Sequence, residues 1–304
     1  GQPLWVSSLE ASRAERGRVY LTLDGHRSDD DRPYVFVSED FGRTWRSIVS
    51  NLPQNGSAKA IREDIRNPNI LYLGTEFAAF VSVNRGQDWT KLNNNLPTVA
   101  VHDFAQHPTS GEIIAATHGR SLWVLDVTPL RQMTPTVLSA PAHLYRPNDV
   151  TVLRADLPRG SVGMRGFRGQ NPPQSPQVFY SLTVPASEVS IKVTTLDGRV
   201  VDEPAAPSKA PGLHRLSLER RGPTGGQARA GGPPQQAGAG PRGGFGGGRY
   251  TPGTYRVVLT VDGKEYTQQF TVSGDPDYPT ETLGVDEWTE DAHRDMPREP
   301  VRID

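Results

Sequence analysis

The residues able to do chemistry gather in a few short stretches of this 304-residue chain. Asp24, Gly25, His26, Arg27, Ser28, Asp29, Asp30 and Asp31 concentrate carboxylates that could offer oxygen ligands to calcium, at no spacing of a known calcium loop. A polar loop that caps turns or ties neighbouring elements together accounts for them more simply. His118 with Arg120, and His102 with Asp103, are pairs of the kind used in acid–base work, although capping of a strand end also explains the His118 stretch. Glu63, Asp64 and Glu76 are candidates for the two carboxylates a glycosidase sets across one bond, but single carboxylates in a chain with 34 acidic residues carry no signal. A sialidase would also need an arginine cluster and a tyrosine–glutamate pair, and no residues take those roles. His143, His214 and His293 stand alone, with no metal-ligand spacing. The absence of cysteine excludes disulfides, thiol catalysis and cysteine metal sites. No catalytic residue, cofactor or metal is therefore assigned.

The elements that must position these groups show themselves as a repeat. Ser38, Glu39, Asp40, Phe41, Gly42, Arg43, Thr44 and Trp45 are answered 44 positions later by Ser82, Val83, Asn84, Arg85, Gly86, Gln87, Asp88 and Trp89. Asn51-Leu52-Pro53 and Asn95-Leu96-Pro97 keep the same period, so two landmarks share it. Alternating or apolar runs bounded by turn residues, at 19–23, 34–37, 70–73, 80–83, 99–104, 113–116 and 121–125, read as strands. About four short strands per repeat is the size of a propeller blade. Within the motif, Asp40 is placed to accept backbone N–H bonds, Gly42 to take a positive φ, and Ser38 and Thr44 to add hydroxyl bonds. Trp45 and Trp89 are then expected between blades rather than stacked on sugars.

The first motif resembles the Asp-box, Ser/Thr-x-Asp-x-Gly-x-Thr-Trp, of sialidase-like and sortilin-like β-propellers. The second departs from it, with Asn84 at the carboxylate position and Asp88 where threonine is usual. A wider resemblance, over roughly residues 1–275, is to the C-terminal part of large bacterial sortilin-like Asp-box (BNR-repeat) proteins often labelled glycosyl hydrolases. Its carriers are the Asp24–Asp30 stretch, Leu73-Gly74-Thr75-Glu76-Phe77, Thr117-His118-Gly119-Arg120, Trp123-Val124-Leu125-Asp126, and Asn171-Pro172-Pro173 ahead of Val178-Phe179-Tyr180-Ser181-Leu182. The resemblance implies a propeller followed by a small β-sandwich, in a periplasmic or extracellular bacterial protein. Residues 1–128 supply about three blades, whereas propeller rings need four to eight. The missing blades belong to further chain, or a partner covers the open edges.

Past a linker at 129–141 the period stops, and runs at 150–154, 178–184, 189–195, 213–218, 255–261 and 266–272 predict an immunoglobulin- or fibronectin-like sandwich over 142–274. Asp197-Gly198 and Asp262-Gly263 mark its hairpin turns. An insert at 222–249 holds 12 glycines in 28 residues and cannot build a core. The tail, 275–304, carries ten acidic residues against three arginines and reads as an extended strap. Ordering either segment costs about 1 kcal/mol or more per residue in backbone entropy, which a partner surface would have to offset. Candidate partner contacts are Arg159, Arg165 and Arg168 of an arginine-rich loop, Phe245 in the insert and Trp288 in the tail.

Thirty-three basic against 34 acidic residues leave no field to attract nucleic acid. No apolar run of about 18 residues predicts a membrane-spanning helix. The Gly1 start shows no signal-peptide pattern and reads as a mature or cleaved terminus. The expected protein is an all-β, partial Asp-box propeller with a sandwich, a non-enzymatic scaffold that docks on the protein subunits of a larger assembly, with peripheral membrane association open to it. The alternative is a carbohydrate-active propeller fragment, either a glycosidase or a glycan-binding module.

Overall fold

The computed structural model describes residues 3–152, 175–204, 207–218 and 250–276, and within them the protein is all-β with two short helices. Four strands, β1 (Trp5–Ala11), β2 (Val19–Gly25), β3 (Asp30–Ser38) and β4 (Arg46–Ser47), pair antiparallel in chain order. A second sheet repeats that plan with β5 (Ala58–Glu63), β6 (Leu71–Thr75), β7 (Ala79–Ser82) and β8 (Thr90–Lys91). The third holds β9 (Val101–Gln106), β10 (Glu112–Thr117) and β11 (Leu122–Asp126). Where a fourth strand would follow, the chain enters α1 (Thr128–Arg131) and α2 (Pro135–Ser139), each with proline in its first turn.

These sheets stack face to face as three successive blades. The innermost strand β5 lies against β1 and β2 of blade 1, and β9 lies against β5 and β6 of blade 2. Side chains of a strand alternate between faces, so each blade has a back face toward the preceding blade and a front face toward the following one. Tyr20, Val35, Val37 and Ile48 on the front of blade 1 form one core with Ile61, Leu71, Leu73, Phe80 and Trp89 on the back of blade 2. Tyr72, Ala79 and Val81 on the front of blade 2 form the next with Val101, Phe104 and Ile113 of blade 3. Blade 2 is thus covered on both sides, which is why β6 and β7 are apolar without a break. Gly74 is required where blades 2 and 3 meet, because a Cβ there would lie 2.2 Å from the Val101 carbonyl oxygen.

The inner strands β1 and β5 are not among the runs legible in the sequence. Ala58-Lys59-Ala60-Ile61-Arg62-Glu63 is rich in good helix formers, and packing between two blades overrides that preference. Bulges between Val6 and Ser8, and between Ala58 and Ala60, further break the two-residue alternation.

The remaining strands form two sheets around a separate core. β12 (Ala142–Leu144), β14 (Gln177–Leu182) and β17 (Gly212–Ser217) make one. The other runs β13 (Val150–Thr151), β19 (Lys264–Ser273), β18 (Gly253–Val261), β15 (Val189–Thr195) and β16 (Val200–Asp202). Leu144, Val178, Tyr180, Ile191, Val257, Leu259 and Phe270 fill the space between them. Asp262 and Gly263 both take positive φ in a two-residue turn joining β18 to β19, and Asp262 also accepts bonds from the Ser187 and Glu188 amides.

The stretch 126–148 ties this part to the blades. Thr128 Oγ1 donates to Asn148 Oδ1 at 2.9 Å, and the Gln132 side chain exchanges two bonds with the Arg146 backbone. Arg131 reaches back 2.9 Å to buried Asp64 of blade 2.

Candidate functional site

The first motif closes on itself through hydrogen bonds. Asp40 Oδ1 accepts the Arg43 and Thr44 amides at 3.0 and 2.8 Å, and its Oδ2 accepts the Thr44 hydroxyl at 2.6 Å. Ser38 Oγ accepts the Gly42 amide and donates to Asp40. The Thr44 hydroxyl and amide hold the half-buried Asp40 carboxyl down at about 2. In the second motif Asn84 Oδ1 accepts the Asp88 amide at 2.9 Å while its Nδ2 donates to Asp88 Oδ2 at 3.0 Å. Ser82 accepts the Gly86 amide as Ser38 does that of Gly42. Gly86 sits at φ 79° with Ile48 of blade 1 beside it, so any Cβ would press within 2.8 Å of that side chain.

The two tryptophans differ. Trp89, 5% exposed, lies between blades, and its indole N–H crosses to the Ile48 carbonyl at 2.7 Å. Asn51 clamps its backbone, accepting the Trp89 amide and donating to its carbonyl. Trp45, expected between blades as well, is 40% exposed, and its indole N–H turns to its own Gly42 carbonyl at 3.1 Å. Its place faces away from blade 2, where no described residue covers it.

At the opposite end of the blades, the loop between β2 and β3 holds a charged cluster. Lys59 Nζ lies 2.6 Å from Asp24 Oδ2 and 2.7 Å from Glu76 Oε2, and His26 Nδ1 is 2.8 Å from Asp24. Burial alone would raise the Asp24 carboxyl, but Lys59 and then the His26 backbone and ring outweigh it and hold it well below the carboxylate range. Lys59 is therefore a clamp between blade 1 and blade 2. The Asp24–Asp31 stretch does not converge on a cation, since Asp30 is taken by Arg32 and Tyr34. Among the described residues no three potential ligands group together.

The other carboxylates are likewise engaged. Glu63 accepts from the Ser12 and Tyr20 hydroxyls, and Asp64 from Tyr72, Arg131 and the Arg66 and Asn67 amides. Burial and then the facing carboxylate push both phenols up, so Tyr20 and Tyr72 stay neutral donors. The His102 and His118 rings lie 5.1 Å apart, tilted by 51°, and Asp103 pairs with Arg62 at 2.7 Å rather than with a histidine. Arg159, Arg165, Arg168, Phe245 and Trp288 lie outside the described residues.

Sequence reasoning expected open blade edges and faces but named none of the aliphatic residues on the two end faces of the blade stack. On blade 1, pairing aligns Leu9, Leu21 and Phe36 in one row and Val6, Leu23 and Tyr34 in the next, all on the back face. Val6, Leu9, Phe41 and Trp45 stand exposed there or at its rim. On blade 3, Ile114 pairs with Val124 and Ala116 with Leu122 on the front face, and Leu122 and Val124 are exposed. The available signal was the blade count: three blades leave two end faces that no described residue covers.

No family model matches the sequence, and no curated protein matches it. Among solved structures, PorZ of Porphyromonas gingivalis, a bacterial surface component of the type-IX secretion system, is 13% identical, with a TM-score of 0.32 over 88% of this chain and 30% of that one. The GH74 enzyme of Niastella koreensis is 16% identical, with a TM-score of 0.35 over 64% of this chain and 29% of that one. YCF48 bound to a D1 peptide is 14% identical, with a TM-score of 0.31 over 88% of this chain and 67% of that one. The chain spans under a third of the length of the first two. Likenesses this distant carry no argument about activity or partner. Among the described residues, no helix is long and apolar enough to cross a membrane.

Proposed function

We propose that this chain is a non-enzymatic docking and stabilising subunit of a larger protein assembly, outside the cytoplasmic membrane of a bacterium. The observation that carries the reading is the back face of blade 1, which no described residue covers and whose Leu9 and Trp45 stand exposed where their blade 2 counterparts Ile61 and Trp89 are buried. Contiguous apolar surface of this kind is an interaction site or a liability to aggregation. The capture of Glu63, Asp64 and Glu76 by neighbouring donors weighs against the carbohydrate-active alternative, which needs free carboxylates in a cleft. In this reading the blades and the sandwich are the mount, and the arginine loop, insert and tail, which lie outside the described residues, are proposed as further contacts.

Hydroxyl-radical footprinting of the natively purified protein tests this. Expected is protection of Trp45, Phe41 and Leu9, with other protein subunits co-purifying in fixed ratio. A chain that purifies alone with those residues fully reactive would overturn the proposal.

A further inference from the structure

The first strand of every blade carries a bulge at the same place. Ser7, Lys59 and His102 are the extra residues, lying between Val6 and Ser8, Ala58 and Ala60, and Val101 and Asp103 in the pairing with the next strand. A bulge re-aims the side chain it releases from the ladder. On that next strand Val6, Ala58 and Val101 pair with Leu23, Thr75 and Thr117, each followed by a polar residue: Asp24, Glu76 or His118. Each blade thus offers one equivalent pair at this end: Ser7 with Asp24, Lys59 with Glu76, His102 with His118. In blades 1 and 2 the bulge residue is engaged. Ser7 Oγ lies 2.8 Å from Thr22 Oγ1 and donates to the Ala58 carbonyl, and the Lys59 ammonium bridges Asp24 and Glu76.

Blade 3 breaks this pattern. His102 and His118 are both exposed, their ring centres are 5.1 Å apart, and neither ring has a hydrogen-bond or ion-pair partner among the described residues. Where blade 2 sets an ammonium between carboxylates, blade 3 sets two imidazoles side by side, each with a lone pair to give. Neutral imidazole is the commonest metal ligand. The spacing is that of a tetrahedral chelate. Zinc binds an imidazole nitrogen at about 2.0–2.1 Å, hence about 3.2 Å from the ring centre, and a tetrahedral angle then separates two ring centres by about 5.2 Å. The right angle of a square-planar ion would bring them to about 4.5 Å. Asp103 is held by Arg62 and Glu76 by Lys59, and no third potential ligand joins the pair among the described residues.

The geometry points to a zinc site on blade 3, in which His102 and His118 each give one ring nitrogen to a Zn²⁺ ion and water fills the other two positions. The ion ties the bulge of β9 to the turn after β10, as Lys59 ties its own bulge to Glu76. This inference goes beyond the docking reading and needs no partner.

Calorimetric titration of zinc chloride into the metal-stripped, tag-free 304-residue chain near neutral pH tests it, with His102→Asn, His118→Asn and, as control, His107→Asn. The paired histidines are exposed, so both variants are expected to keep the wild-type circular dichroism. The wild type is expected to bind zinc with a Kd of about 100 µM or tighter, and each pair variant at least about tenfold more weakly, because one imidazole cannot chelate. His107 Nδ1 is taken by the Thr109 and Ser110 amides, so His107→Asn is expected to leave the affinity unchanged. Imidazole nitrogen resonances of the wild type give a reading free of any variant: among the chain's seven histidines, zinc is expected to shift His102 and His118. No binding up to ~1 mM zinc, an affinity indifferent to both pair substitutions, or zinc shifts confined to other histidines overturns the inference.

Discussion

Trp45 and Trp89 close the same kind of turn, 44 residues apart, on sheets with the same strand order. Trp89 finds Ile48, Asn51 and the front of blade 1 against it, whereas Trp45 finds its own turn and solvent. The chemistry of the turn therefore does not bury its tryptophan. A preceding blade does, through a backbone carbonyl and an asparagine clamp that no described residue supplies to blade 1. The comparison separates what a repeat unit makes alone from what it makes only with a neighbour.

The sharpest way to break the comparison is to remove each tryptophan. Trp89→Ala is expected to cost about 3–5 kcal/mol in urea unfolding, for the cavity and the lost indole bond. Trp45→Ala is expected to cost less than about 1 kcal/mol. Equal losses would mean that Trp45 has a cover inside the chain.

A nearly comparable loss is expected from Lys59→Met, which leaves Asp24 and Glu76 facing each other without their cation, at about 3 kcal/mol. Asp24→Asn added to it should recover part of that loss, a coupling that a double-mutant cycle reads directly. Additive effects would show that Lys59 does not clamp blade 1 to blade 2.

The aliphatic rows sharpen the same contrast. Leu73→Ala, at a fully buried position, is expected to cost about 2–5 kcal/mol, and Leu9→Ala less than about 0.5 kcal/mol.

The smallest effect concerns the turns. Asp40 titrates at about 2 in the folded chain against 3.8 ordinarily, so its contribution is present above pH 3.8 and lost as pH falls through about 2. Asp40→Asn, which copies Asn84, is expected to remove that segment of the acid-unfolding curve and to lower stability near pH 7 slightly, by the part the carboxylate contributes there. An unaltered acid limb would assign it to other groups, of which Asp24 is the first candidate, because its carboxyl is held lower still.

Much of the fold was legible because it rests on local chemistry. Serine, aspartate, glycine and threonine at their spacing make a turn whose bonds are all within eight residues, and Asp262-Gly263 makes a hairpin wherever two strands flank it. Strands β2, β3, β6, β7 and β10 showed through their apolar alternation or runs. The inner strands β1 and β5 did not, since Ala58–Glu63 has helix-forming composition and becomes a strand only between two sheets.

The candidate site was legible in its parts and not in its arrangement. Asp24, His26 and Glu76 stood out as titratable groups, but their use depends on Lys59, 35 residues after Asp24, reaching across a blade boundary. By itself the sequence determined the repeat, its turns, the lack of thiol chemistry and the count of about three blades, because each follows from residue type at short range. Only the tertiary structure decided which faces are covered, which carboxylates are spent on neighbours, and which tryptophan is left in water. Those outcomes depend on burial against residues distant in the chain.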